Sequence, residues 1–227
     1  MNLSAGLVRA LLGHAYATEG PRTWHITRLA MYRALSGAWR DVDGADRTCL
    51  AISRSVRLAR EILGLREARM VEANYPKHDM VALRFPDGAF DFCVSDQVLE
   101  HVAGNPIRAV QESARVVKPG GLVCHTTCFI NEIHGAPQDF WRFTPGALSL
   151  MAREAGLEPL MIGGWGNRDA VPILNSDLRL KGIPDDPDNP VYQLALRNEP
   201  DWPISVWLVA RKPGGAAPSP GEAPAPA

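Results

Sequence analysis

Phe85-Pro86-Asp87-Gly88-Ala89-Phe90-Asp91-Phe92-Cys93-Val94-Ser95-Asp96 opens the stretch that decides the fold, and Arg115-Val116-Val117-Lys118-Pro119-Gly120-Gly121 closes it. Residues 90–95 form a short apolar run, the pattern of a strand covered on both faces. A helical pattern follows at 105–117, with Asn105 before Pro106 as cap and first turn. Lys118-Pro119-Gly120-Gly121 stops that helix, because proline cannot continue it and glycine supplies the tight turn into a second apolar run at 121–128. Strand, helix and strand in this order predict a right-handed crossover and neighbouring parallel strands.

Working outward, further apolar runs place strands at 48–53 and 69–74, with a helical pattern at 55–65. Thr144-Pro145 starts another helix, which runs to about Gly156. Segments 157–163 and 204–211 read as a final antiparallel pair. The connection 166–203 is too long for a structureless loop, so a short helix around Val191–Arg197 is expected, with the segment covering part of the molecule. Upstream, Leu3, Leu7, Val8, Leu11 and Leu12 fall on one stripe of a helix over 3–16. Pro21 precedes a second helical stretch through Trp24, Leu29 and Leu35 that stops near Gly37. The fold class is therefore α/β, a mostly parallel sheet with a C-terminal antiparallel strand pair and extra N-terminal helices. Three parts are expected: helices over 1–47, a main domain over 48–212, and a disordered Pro, Gly, Ala and Ser tail over 213–227.

A chain of 227 residues with 46% hydrophobic and 22% charged residues has the composition of a globular domain able to bury one sizeable core. Its 24 Lys and Arg are spread among 25 acidic residues, for a net charge of -1, so no basic surface announces a nucleic-acid partner. No apolar run approaches the roughly 20 residues of a membrane span. The N-terminus lacks the pattern of a secretory leader, and a cytoplasmic location is expected. Homo-oligomerisation is left open. Cys49, Cys93, Cys124 and Cys128 sit in apolar, strand-like surroundings and read as buried reduced thiols. The spacing of Cys124, His125 and Cys128 invites a metal reading, but strand alternation puts His125 on the face opposite the two cysteines. No metal centre is expected.

The run Phe85–Asp91 followed by a strand, Val98-Leu99-Glu100-His101-Val102, a helix and Arg115–Gly121 resembles class I methyltransferases in order and spacing. The resemblance is strong over residues 69–160 and thinner upstream. His134-Gly135-Ala136-Pro137-Gln138-Asp139-Phe140-Trp141-Arg142-Phe143-Thr144 is similar to the loop of a subgroup that often accompanies glycan or cell-envelope loci. The resemblance implies a Rossmann-like sheet with S-adenosylmethionine lying across its C-terminal strand ends, where open α/β sheets generally bind ligands. It also implies roles for single residues. Asp79 matches the acidic position that meets the adenine amino group, with Met80 as apolar cover. Glu72 stands where relatives hold a carboxylate for the ribose hydroxyls, and Asn74 competes for that role. Asp96 and Gln97 fall at the methionine end of the cofactor.

Relatives follow their first strand with a glycine-rich turn that lets backbone N–H groups approach the cofactor. Here that turn reads Ala51-Ile52-Ser53-Arg54-Ser55-Val56, without glycine. Either it takes a wider path, or the hydroxyls of Ser53 and Ser55 replace backbone contacts. Arg54 pairs with the cofactor carboxylate, points into solvent, or fills the pocket. A nicotinamide-dependent oxidoreductase would share the sheet but needs a glycine fingerprint at this turn.

Methyl transfer is an in-line displacement, so the protein has to align acceptor, methyl and sulfur and needs a base only for a poorly ionised acceptor. His134 is the preferred base and His101 the alternative, each also readable as structural. Asp139 either orients His134 or touches substrate. Arg142 holds an anionic acceptor group, or pairs with Asp139 to brace the loop. Phe140 and Trp141 either wall the acceptor or anchor the loop. The expected activity is S-adenosylmethionine-dependent methylation of a small-molecule or glycan acceptor at oxygen. The competing reading is a non-catalytic binding module.

Overall fold

The computed structural model describes residues 5–135 and 138–214. The strands are β1 (Arg22–His25), β2 (Thr48–Ile52), β3 (Arg69–Ala73), β4 (Phe90–Asp96), β5 (Val117–Cys128), β6 (Glu158–Trp165), β7 (Gly182–Pro184) and β8 (Ser205–Arg211). The α-helices are α1 (Ala5–Tyr16), α2 (Ile26–Ser36), α3 (Pro106–Val116), α4 (Pro145–Glu154), α5 (Val171–Leu174) and α6 (Pro190–Leu196). Six strands form the central sheet in the order β3-β2-β4-β5-β8-β6. The first four are parallel, while β8 runs antiparallel to both β5 and β6.

Alternation along the strands feeds two cores. Cys49, Ala51, Phe92, Val94, Cys124 and Val209 point to the face covered by α2, α5 and α6. Leu50, Ile52, Cys93, Val123, Leu208 and Ala210 point to the face covered by α3 and α4. Both faces are buried, which is why these strands read as unbroken apolar runs instead of alternating ones.

The stretch that decides the fold is held by one side chain. Arg115, near the end of α3, donates to the carbonyls of Leu83 and Phe85 at 2.8 Å and to the carboxylate of Asp87 at 2.7 Å. It also pairs with buried Glu112, which accepts the N–H of Leu83 at 2.9 Å. Arg115 is the first cause holding the Glu112 carboxyl below its usual range. These bonds satisfy the backbone of the 83–88 turn as it enters β4.

Four expectations need adjustment. Residues 22–25 are not the start of a helix but strand β1, antiparallel to β7 across the segment 182–184. That pairing is non-local, so helical periodicity further along the chain masked it. The helix after β2 contains a π-helical turn, Leu58–Ile62, in which the Leu63 N–H reaches back to the Leu58 carbonyl at 2.9 Å. Strand β5 begins at Val117, not at 121, because Val117 pairs with Phe90 before the register slips between Phe90 and Phe92. Gly121 lies at that slip, where a Cβ would fall 2.4 Å from Val117 Cγ1 and 2.6 Å from the Asp91 carbonyl. The connection 166–203 carries α5, β7 and α6, the last of these at the position expected for a short helix.

α1 lies against α5 and α6, and Leu12 packs on the core. The side chains of Leu3, Leu7, Val8 and Leu11 lie outside the described residues, as does 215–227 of the tail. Among the described residues, no helix is long and apolar enough to cross a membrane.

Candidate active site

The strand order turns back at β2, whose two neighbours are β3 and β4. Open α/β sheets bind ligands in the crevice outside such a reversal. A cleft of about 480 Å³ lies there, lined by Ser53 and Arg54 after β2, by Asn74, Asp79 and Met80 after β3, and by Gln97 and His101 after β4.

The turn after β2 has the backbone a glycine turn would have, with Ser53 at φ 52° and Arg54 at φ 66°. Both lie in the left-handed region, which side chains make costly. Four bonds hold it. The Ser53 N–H donates to the Ala73 carbonyl at 3.0 Å, and the Arg54 N–H donates to Asn74 Oδ1 at 2.9 Å. The buried Ser55 hydroxyl donates to the Ile52 carbonyl and accepts the Asp96 N–H at 2.8 Å. The turn therefore does not take a wider path, and the Ser55 hydroxyl is spent on the backbone. The Arg54 side chain is exposed, and the cleft stays open beside it.

Asp79 lies on the cleft wall, its Oδ1 accepting the Val81 N–H at 3.1 Å, and Met80 is buried beneath it. Of the two candidates at the end of β3, Asn74 lines the cleft. Glu72 does not; it accepts from Asn74 Nδ2 at 3.3 Å. Asp96 lines neither this cleft nor the cavity beside it: its carboxylate accepts from Tyr32 at 2.5 Å and Thr126 at 2.6 Å, with Arg28 at 3.8 Å, tying α2 to the sheet. Gln97, at φ 55°, anchors its amide on the Thr127 carbonyl at 2.9 Å.

Gln97 also lines a second cavity of about 490 Å³, bordered by His25, Arg28, His134 and, from the long connection, Ser176, Asp177, Arg179 and Leu180. Burial, with Arg28 beside it, lowers His25 to about 4, so the imidazole there is neutral. The long connection therefore covers a cavity, and α2, which sequence reading left without a role at the site, supplies one wall.

The loop after β5 divides the two spaces. The Asp139 side chain is 1% exposed, and Arg142 grips both of its oxygens at 2.6 and 2.7 Å. Arg142 also donates to the carbonyls of Glu132 and Trp141 at 2.8 Å. Arg142 first, then the His134 N–H, holds the Asp139 carboxyl down at about 2. His134 Nδ1 lies 3.0 Å from Asp139 Oδ2 and 3.1 Å from the Glu132 carbonyl. Both are acceptors, so Nδ1 carries a proton, and in the neutral ring Nε2 is the nitrogen with the lone pair. His101 Nδ1 donates to the Gln138 carbonyl at 2.6 Å, which fixes the same tautomer. The two imidazole rings meet edge to face, 5.0 Å between centres. Trp141 anchors the loop through Nε1 to the Val102 carbonyl at 2.9 Å, while half-exposed Phe140 faces the first cleft. Ala136 and Pro137 lie outside the described residues.

Sequence reading did not single out Glu100 chemically. It is fully buried, Oε2 accepts from Thr127 at 2.8 Å, and Oε1 has no partner. Burial raises its carboxyl above the usual range. The only sequence signal was its place beside His101 in the Val98–Val102 motif.

Residues 36–125 match a family model described as a methyltransferase domain. Over these residues the chain is similar to methyltransferase domains. A malonyl-[acyl-carrier protein] O-methyltransferase from Erwinia pyrifoliae is 34% identical over 117 residues, 48% of this chain and 44% of that protein. The chain thus matches less than half the length of this relative. Among solved structures, the putative methyltransferase bound to the Trm112 methyltransferase activator in Haloferax volcanii matches at TM-score 0.53, with 16% identity over 92% of this chain and 94% of that one. The [4+2]-cyclase SpnF matches at TM-score 0.50, with 21% identity over 92% and 94%. At these identities the likeness is one of fold. The mostly parallel sheet and the antiparallel β8 stand where the sequence placed them.

Proposed function

We propose that the chain binds S-adenosylmethionine in the cleft above β2, β3 and β4 and methylates an oxygen of a small-molecule or glycan acceptor held in the second cavity. The observation that carries this reading is the junction of the two spaces: Gln97 lines both, His101 lines one and His134 the other. The left-handed turn at Ser53 and Arg54 fits a cofactor cleft, because it presents backbone at close range as a glycine turn would. Asp79, Asn74 and Met80 are placed to hold the nucleoside, and Ser53, Arg54 and Gln97 its amino-acid end. When bound, the cofactor supplies a methyl group on a positively charged sulfur.

The chain's own part is proton handling and alignment. His134 Nε2 takes the acceptor's hydroxyl proton, and Asp139, bonded to Nδ1, stabilises the imidazolium that results. Asp139 and Arg142 act by holding the loop, and the oxygen acceptor agrees with the O-methyltransferase name of the relative. A fold shared with a [4+2]-cyclase keeps a different chemistry on this sheet in play.

Isothermal titration with S-adenosylmethionine tests the reading. The wild type binds it, Asp79→Ala binds it at least about 10-fold more weakly, and His134→Ala binds it unchanged while releasing S-adenosylhomocysteine about 100-fold or more slowly. A wild-type chain that does not bind the cofactor leaves only a methyltransferase-like module.

A further inference from the structure

We propose that Glu100, His101 and His134 form a site for one divalent transition-metal ion at the wall between the two cavities. A ligand atom from each of the three lies within 4.8 Å of the others, and no other such group of His, Cys, Asp and Glu occurs among the described residues. This departs from the sequence expectation of no metal. That expectation considered Cys124, His125 and Cys128, where His125 Nδ1 is engaged instead by Ser95 at 2.7 Å.

Three features make the cluster more than a coincidence of residue types. Glu100 Oε1 is a buried carboxylate oxygen without a partner, and a buried polar atom left so calls for a proton or a cation. Its other oxygen is already held by Thr127, so the orphan oxygen is fixed in place. Both histidines give their Nδ1 protons to fixed acceptors, His101 to the Gln138 carbonyl and His134 to Asp139 and the Glu132 carbonyl. Outer bonds of this kind set the tautomer of metal-binding histidines and point Nε2 at the ion. Neither Nε2 has a hydrogen-bond partner among the described residues.

Two imidazoles and one carboxylate form a donor set for Zn²⁺, Fe²⁺ or Co²⁺, not for the oxygen-seeking Mg²⁺ or Ca²⁺. Ligands about 2 Å from such an ion stand roughly 3–3.5 Å apart, so separations within 4.8 Å close by up to about 1.5 Å on loading. His134, on the loop after β5, and His101, at the end of the Leu99–His101 turn, can supply that through side-chain rotation. Three protein ligands leave coordination positions open, as in catalytic sites. His101 belongs to the wall of the cofactor cleft and His134 to that of the second cavity, so an open position faces the place where an acceptor would be held. The ligand completing the shell would carry a hydroxyl or carboxylate oxygen. This use of the ion rests on the methyl-transfer reading, whereas cation binding itself does not. With the ion in place, the His134 lone pair is committed to it, and the ion acidifies the acceptor hydroxyl, whose proton leaves to water.

The test uses the full chain, freed of any affinity tag and stripped of metal, titrated with Zn²⁺ by calorimetry and with Co²⁺ by visible absorption. One ion per chain is expected, with Co²⁺ bands of a low-coordinate nitrogen and oxygen site. His101→Ala and His134→Ala each weaken Zn²⁺ binding about 100-fold, and Glu100→Gln about 10-fold or more. Circular dichroism shows which variants are folded; should Glu100→Gln fail to fold, the two histidine variants decide. Absence of stoichiometric binding in the wild type overturns the proposal, as does an affinity unchanged in every folded variant. A chain that binds Zn²⁺ but not S-adenosylmethionine keeps the ion site and loses the methyl-transfer reading; the reverse result keeps methyl transfer, with His134 as its base.

Discussion

Two loops shape the site, and they keep their form by opposite means. The turn Ile52–Ser55 depends on backbone conformation, with two residues in the left-handed region and side chains that mostly face away or serve the main chain. The loop 131–143 depends on side chains, with Arg142, Asp139 and Trp141 each satisfying groups several residues away. In the first, the exposed Arg54 side chain holds nothing in the turn, while Ser55 and Asn74 bond its backbone. The second fails when one side chain is lost.

The largest effect should therefore come from Arg142→Ala. It leaves the Asp139 carboxylate buried without its counter-charge and frees the Glu132 and Trp141 carbonyls. Breaking a buried pair from one side costs about 3–5 kcal/mol, and partial exposure of Arg142 favours the lower end. Chemical denaturation would measure it, and Arg142→Lys should recover only a small part, because an ammonium cannot reproduce the planar fork. A loss below about 1 kcal/mol would mean that the loop does not depend on this clasp.

Acid probes the same loop more gently. The Asp139 carboxyl is held at about 2 in the folded chain, below the value near 3.9 of a free aspartate. A carboxyl depressed by folding stabilises the fold above its unfolded value, and that stability is lost as pH falls toward the folded value. Between about pH 5 and pH 2 the chain should lose about 2 kcal/mol from this group. The comparison with Asp139→Asn isolates it: the variant should be less stable at neutral pH and show a shallower decline through that window.

On the turn side, Ser55→Ala should cost about 1–2 kcal/mol, since the Asp96 N–H loses its acceptor at a part-buried position. Ser55→Thr should recover part of it. A neutral Ser55→Ala would show that the strand ends, not this hydroxyl, hold the turn.

These differences also explain what could be read in advance. The sheet was legible because its strands are covered on both faces, so position in the sequence and apolar content coincide at residues such as Cys93, Val94 and Val123. The 131–143 loop was legible because its determinants are side chains at fixed spacing. Strand β1 was not, since its partner Gly182–Pro184 lies some 160 residues on and local periodicity carries no trace of it. The turn after β2 misled in another way. Absence of glycine left a wider path and hydroxyl contacts as alternatives, but Asn74 and Ser55 supply bonds that hold Ser53 and Arg54 where glycine would sit without effort. The competing claims on Asp96 were equally hidden, because Tyr32 and Arg28 come from a helix sixty or more residues away.

The smallest predicted effect is the one that best separates backbone from side chain at that turn. Arg54→Ala and Arg54→Gly remove the same guanidinium, but only glycine relieves the left-handed conformation at φ 66°. The glycine variant should be more stable than the alanine variant by about 1 kcal/mol, and equal to or slightly above the wild type, because glycine's greater unfolded freedom offsets part of the relief. If the guanidinium also pairs with the cofactor carboxylate, both variants bind S-adenosylmethionine more weakly and to the same extent, by about 10-fold. If Arg54 instead crowds the cleft, both bind it more tightly. A stability difference without any change in affinity would assign Arg54 to the backbone of the turn alone, and equal stability of the two variants would show that the strain inferred from its φ is not there.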